Sequence, residues 1–235
     1  MAAGFSACPP PARRLPVAAE AEFALAVKLP ADVAAEFALA PVAVEAMRPP
    51  RMFPGKPVLD EVRGLLRAAA EIEHALLVQY LYAAYSATTE GRNVAVIAIE
   101  EMGHLVTVQN LLRAVGGDPH LDRDDMTTGL DDPEPFPFVL EPMSLSSLAK
   151  YVLAEMPREN SLSTTDQEFV AKLREKFGPQ HGADIRRVGL IYSSLYWFFL
   201  ESDQNADPEL IPDTSEFPAG RHLGASDFAP DGVTF

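Results

Sequence analysis

Two ionisable residues on one amphipathic segment and one on its neighbour occupy positions that helical periodicity assigns to apolar side chains. In LDEVRGLLRAAAEIEHALLVQYLYAAYS (59–86), the line through Glu73 holds Leu59, Val62, Leu66, Leu77, Tyr80 and Ala84. It is a core stripe but for that glutamate. In VAVIAIEEMGHLVTVQNLLRAV (94–115), the line Val94, Ile97, Glu101, His104, Val108 carries a carboxylate and an imidazole three residues apart. Neighbouring acids fall elsewhere. Glu71 shares a face with Asp60, Arg67 and His74, and Glu100 shares one with Asn93 and Thr107, so both are expected in solvent.

A carboxylate buried in an apolar stripe must be protonated, paired or metal-bound. The i,i+3 spacing brings Glu101 and His104 within reach of one ion. Glu-x-x-His on one helix with Glu on its partner is half of a di-iron carboxylate site. The competing reading is a core His–Glu hydrogen bond that fixes helix register. Glu-x-x-His alone favours that bond, because the tetrapeptide is common by chance. The inward Glu73 on the paired helix moves the balance toward metal.

These residues need rigid helices to hold them. Both segments are free of proline and rich in strong helix formers, and the first would run about 42 Å at 1.5 Å per residue. TTEG ends it, Asn93 is placed to cap the second helix, and Gly116-Gly117 with Pro119 stop that one. So short a connection makes the two antiparallel neighbours. Residues 118–143 read as a long irregular crossover. Ser144 caps a third helix over 145–156 that stops at Pro157. Thr165 with Glu168 forms a capping box for a short helix ending at Gly178-Pro179, and a last long helix spans 183–202. The organisation is an Ala/Pro-rich arm (1–57), an all-α bundle (58–204) and an irregular tail (205–235) that wraps or frays. AEFALA occurs in the arm at 21–26 and 35–40, which is too little for a repeat architecture.

EIEHALLVQYLYAAYS (71–86) and IEEMGHLVTVQNLLRAVGGDPHL (99–121) resemble the two signature helices of the ferritin-like domain of iminophenyl-pyruvate dimer synthases. FPFVLEPMSLSSLAKYVLAEMPRE (136–159) and VGLIY (188–192) continue the likeness, which covers roughly 57–202. Those enzymes act in violacein- and indolocarbazole-type pathways. The resemblance implies a ferritin-like four-helix bundle holding metal through Glu73, Glu101 and His104. Glu155 is the natural third carboxylate on a face with Leu148 and Val152; a helix-end surface glutamate beside Pro157 is its alternative reading. On the last helix, relatives often carry Glu where this chain has Leu190, so a full set of four carboxylates and two histidines is not written here.

The other polar candidates point less sharply. His74 is expected to bond locally or line the rim, His181 lies in a Gly/Pro-flanked turn, and His120 and His222 are expected at the surface. Tyr80 and Tyr192 are placed to hydrogen-bond a ligand, or are core aromatics.

Composition narrows the function. Acidic residues outnumber basic ones 34 to 19, for a net charge of −15, which repels nucleic-acid phosphate and anionic lipid. No apolar run approaches the roughly 20 residues of a membrane helix, and the N-terminus has no secretory pattern. A single cysteine, Cys8, excludes an internal disulfide and a thiolate cluster and suits the cytoplasm. Two functions follow. One is an iron- or manganese-dependent oxidative enzyme, with one ion or two, acting on a small amino-acid-derived substrate in secondary metabolism. The other is a non-catalytic bundle with a degenerate site, serving as a binding or partner module. The oligomeric state stays open, a homo-oligomer included.

Overall fold

The computed structural model describes residues 56–87, 91–122, 138–157, 161–177, 187–208, 210–211 and 213–228. The arm with its AEFALA pair, the middle of the crossover (123–137), and the turn bearing His181 lie outside the described residues. Among the described residues there are five α-helices and no strand: α1 (Val58–Ser86), α2 (Gly91–Ala114), α3 (Leu145–Glu155), α4 (Thr164–Phe177) and α5 (Gly189–Phe199). The all-α bundle expected from the sequence is what forms.

Helix α1 is the axis. Val62, Leu66, Ala69, Leu76, Tyr80 and Ala83 are essentially sealed from solvent, and the helix packs against both α2 and α5, while α3 packs on α4. Burial on nearly every side explains its high content of small and aliphatic residues. Helix α2 runs antiparallel to it. Near the start of α1, Arg63 donates from Nε and Nη2 to the Val115 carbonyl at the end of α2, at 2.9 and 2.6 Å. The α2 terminus closes as its glycines predict: Gly116 adopts φ 69°, and the Gly117 amide donates back to the Leu112 carbonyl at 2.8 Å, satisfying carbonyls the helix leaves open.

Ser144 caps α3 as expected, exchanging hydrogen bonds with Ser147 in a capping box. Two expected caps are displaced. Helix α2 begins at Gly91, so Asn93 sits inside its first turn; nothing in Gly-Arg-Asn bars helix, and the pattern marks the end only to within a turn. Helix α4 is capped by Ser163, whose Oγ accepts from the Asp166 amide at 3.2 Å and donates to its carboxylate at 2.6 Å. Ser-x-x-Asp thus does what Thr165 and Glu168 were expected to do, two residues earlier. The last helix is shorter than the expected 183–202, ending at Phe199, while 183–186 lie outside the described residues.

The C-terminal tail wraps. Its 3₁₀ turns carry Ile211, Phe217 and Leu223 into the core. The Phe217 ring stacks on Trp197 at 5.2 Å, and the Trp197 indole donates to the Pro218 carbonyl at 3.1 Å. Arg221 reaches across to the buried Glu61 of α1 at 2.8 Å. His222, expected at the surface, lies instead between the Trp197 carbonyl (2.8 Å) and Asp203 (2.6 Å).

Candidate metal centre

Pairing α1 with α2 brings Glu73, Glu101 and His104 together, each offering a ligand atom within 4.8 Å of the others. His104 Nδ1 lies 3.2 Å from Glu101 Oε2 and 3.4 Å from Glu73 Oε2. The glutamates are 1% and 3% exposed, whereas the His104 side chain is 53% exposed, so the cluster has one open edge. Glu73 Oε1 accepts the Tyr192 hydroxyl of α5. Glu73 Oε2 is sealed from water and turned toward His104 Nδ1. The Glu–Glu–His set read from periodicity is therefore assembled at one point.

The charges are set against one another. Burial pushes Glu101 up to about 9, and the negative charges of Glu73 and Glu155 add to it. His104 is raised to about 11 by its hydrogen bonds to Glu101 and Glu73, against the opposing effect of burial. Burial would also raise Glu73, but hydrogen bonds with His104, Glu101 and Tyr192 outweigh it and hold that group below the usual carboxylate range. Without an ion, the site near neutral pH is an ionised Glu73 flanked by a protonated Glu101 and an imidazolium.

Glu155, at the end of α3, does not converge with these three. It is exposed as a residue, yet its Oε1 accepts the hydroxyl of fully buried Tyr80 at 2.5 Å. Burial of the carboxylate, followed by the charge of Glu73, pushes it up to about 7, so it lies close enough to sense the cluster. Tyr80 and Tyr192 are both raised by burial and by the acids they serve, and both remain protonated donors. Tyr192 is the contribution of α5. Leu190, two residues earlier, is about 200° away around the helix and is buried on another side.

Two expectations about nearby residues fail. Glu71, placed in solvent by its face, is 4% exposed, and its Oε1 lies 2.7 Å from Nε2 of His120, also expected outside. The Gln109 amide pins the segment bearing His120 by bonding both its backbone NH and its carbonyl. A crossover folded onto α1 covers what the isolated helix would expose. The Gln109–His120 spacing carried no pattern to reveal it. Glu100 is exposed, as expected, and half-buried His74 keeps a sealed Nδ1 without a hydrogen-bond partner.

A family model described as ferritin-like matches residues 66–214. The chain belongs to the ferritin-like family. The matched span of this ferritin-like chain contains the whole cluster, Glu155 and Tyr192. No curated protein and no solved structure matches it. Among the described residues, no helix is long and apolar enough to cross a membrane.

Proposed function

We propose that this ferritin-like protein binds iron or manganese through Glu73, Glu101 and His104, and is an oxidative enzyme acting on a small amino-acid-derived molecule in secondary metabolism. The observation that carries the metal reading is Glu73 Oε2. It has lost water and faces an imidazole nitrogen at 3.4 Å and a second buried carboxylate. Two carboxylates crowded together in a buried site are costly, and a cation offsets that cost. Mixed carboxylate and imidazole donors suit iron and manganese. The resemblance of 71–86 and 99–121 to iminophenyl-pyruvate dimer synthases supports the oxidative reading and the substrate class.

In this reading a bound ion supplies Lewis acidity and one-electron redox capacity toward dioxygen or substrate. The chain's residues do the rest. Glu101 and His104 give up their protons on loading, Tyr192 orients Glu73, and the exposed edge of His104 leaves a way in for a small molecule. Glu155, fixed by Tyr80, stands by as a further carboxylate with a proton affinity near neutrality. A net charge of −15 disfavours nucleic-acid and anionic-membrane partners, and a lone cysteine accords with a cytoplasmic location.

The test is metal analysis of protein purified without chelators. About one equivalent or more of iron or manganese, lost in Glu101→Ala, is the expected result. A wild-type protein that neither carries nor takes up either metal would leave the Glu–His contact as a structural bond and favour the non-catalytic module.

A further inference from the structure

We infer that the centre holds a single ion, and that Tyr192 positions Glu73 for it by occupying one oxygen of that carboxylate; this rests on the metal-binding reading above. A second ion would need its own donors, and two carboxylates that could supply them are already engaged by phenols. One is Glu73, whose Oε1 accepts the Tyr192 hydroxyl. The other is Glu155, which accepts the Tyr80 hydroxyl at 2.5 Å and stands outside the converging set. Tyr80 is 1% exposed, with no water to replace the bond it would lose, and Tyr192 is half-buried.

Helix α5 (Gly189–Phe199) carries no carboxylate and no imidazole. One turn from Tyr192 on the same line are Val188 and Leu195, both apolar and buried. Ser194 turns its hydroxyl back to the Leu190 carbonyl of its own helix at 3.3 Å. The element that would complete a second half-site therefore presents a hydrogen-bond donor instead of a carboxylate.

Tyr192 thereby becomes a positioning residue. Its hydroxyl fixes the rotation of the Glu73 carboxylate, leaving Oε2 as the oxygen that faces Glu101 and His104. Groups that orient a ligand in this way typically affect metal affinity by 10–100-fold. Removing the hydroxyl lets the carboxylate rotate and loosens the first ion.

Titration of the chelator-stripped full chain with manganous ion, with free Mn(II) counted by electron paramagnetic resonance, tests both parts. The expected result is one ion per chain. Tyr192→Phe, checked for unchanged helicity, should bind that ion roughly 10–100-fold more weakly, and its cobalt(II) complex should show an altered visible spectrum. Two ions per wild-type chain would overturn the single-ion inference while leaving metal binding intact. No ion at all would overturn both. A folded Tyr192→Phe protein with the wild-type affinity and cobalt spectrum would reduce Tyr192 to a packing residue.

Discussion

Glu101 and His104 each hold a proton well above the pH at which the free side chain releases it, and a cation must displace both. Loading near pH 7 should therefore release about two protons, measurable by calorimetry in buffers of different ionisation enthalpy. The same shifts fix how stability varies with pH. Glu101 is raised from 4.5 to about 9 and Glu155 from 4.5 to about 7, so each contributes stability below pH 4.5 that fades as pH climbs through the folded value. His104, raised from 6.5 to about 11, contributes below pH 6.5 and loses that contribution through 11, less steeply because its side chain is half in water. Glu73 acts in the opposite direction, but only at acid pH. The apo protein should thus melt at lower temperature at pH 9 than at pH 6, while metal affinity rises over the same interval. Melting temperatures of apo and manganese-loaded samples across that range check both trends; an apo melting temperature that increases toward pH 9 would contradict the charge arrangement. Glu101→Gln mimics the protonated acid in shape and charge. It should abolish metal binding yet leave the apo melting temperature near that of wild type. A loss of several degrees in the absence of any metal would mark Glu101 as half of a structural bond.

Helix ends decide how accurately those side chains are held. The α2 terminus is locked to α1 by Arg63, and Gly116 makes the turn at φ 69°. An added Cβ there meets left-handed backbone and the Arg63 Nη2 at 2.9 Å. Gly116→Ala should cost about 1 kcal/mol from the backbone alone, and more if Arg63 is pushed from the Val115 carbonyl. In a domain of this size that is a drop of about 2–4 °C, visible in a thermal melt. The terminators were legible because glycine and proline constrain the chain locally. The starts at Gly91 and Ser163 were less so, since several Ser, Thr and Asn residues in each stretch can accept the same amide, and only the helix's final packing selects one.

Across the whole molecule, the tail closes the bundle. The Arg221–Glu61 pair joins the last described segment to the first turn of α1, with Glu61 side chain 1% and Arg221 side chain 23% exposed. Arg221→Ala should cost about 2 kcal/mol, below the figure for a fully buried pair because Arg221 keeps some water. The loss should be local: faster proteolysis within 207–228, with α1 and α2 still protected. Hydrogen exchange resolved by peptide would show it, and uniform loss of protection would mean that the tail is instead part of one cooperative unit.

Periodicity by itself determined the helical class, the α1–α2 hairpin and the inward direction of Glu73 and Glu101; His104 joins them from an exposed edge, with its side chain 53% exposed. A 3.6-residue repeat reports which side chains of one helix share a face, and a short connection fixes which neighbour that face meets. It reports nothing about what arrives from far along the chain. Tyr192 comes to Glu73 from 119 residues away, Tyr80 meets Glu155 across 75, and His120 meets Glu71 across 49. Each pairing changed the chemistry expected of a residue whose face had been read alone. Glu71 became a buried partner, and Glu155 a phenol-bound neighbour of the cluster. On α5 a carboxylate was sought at Leu190, and the residue that reaches the cluster is Tyr192. Only the tertiary structure decides such contacts, because a buried polar group takes whichever donor the folded chain delivers, and local sequence encodes the need for a partner without encoding its identity.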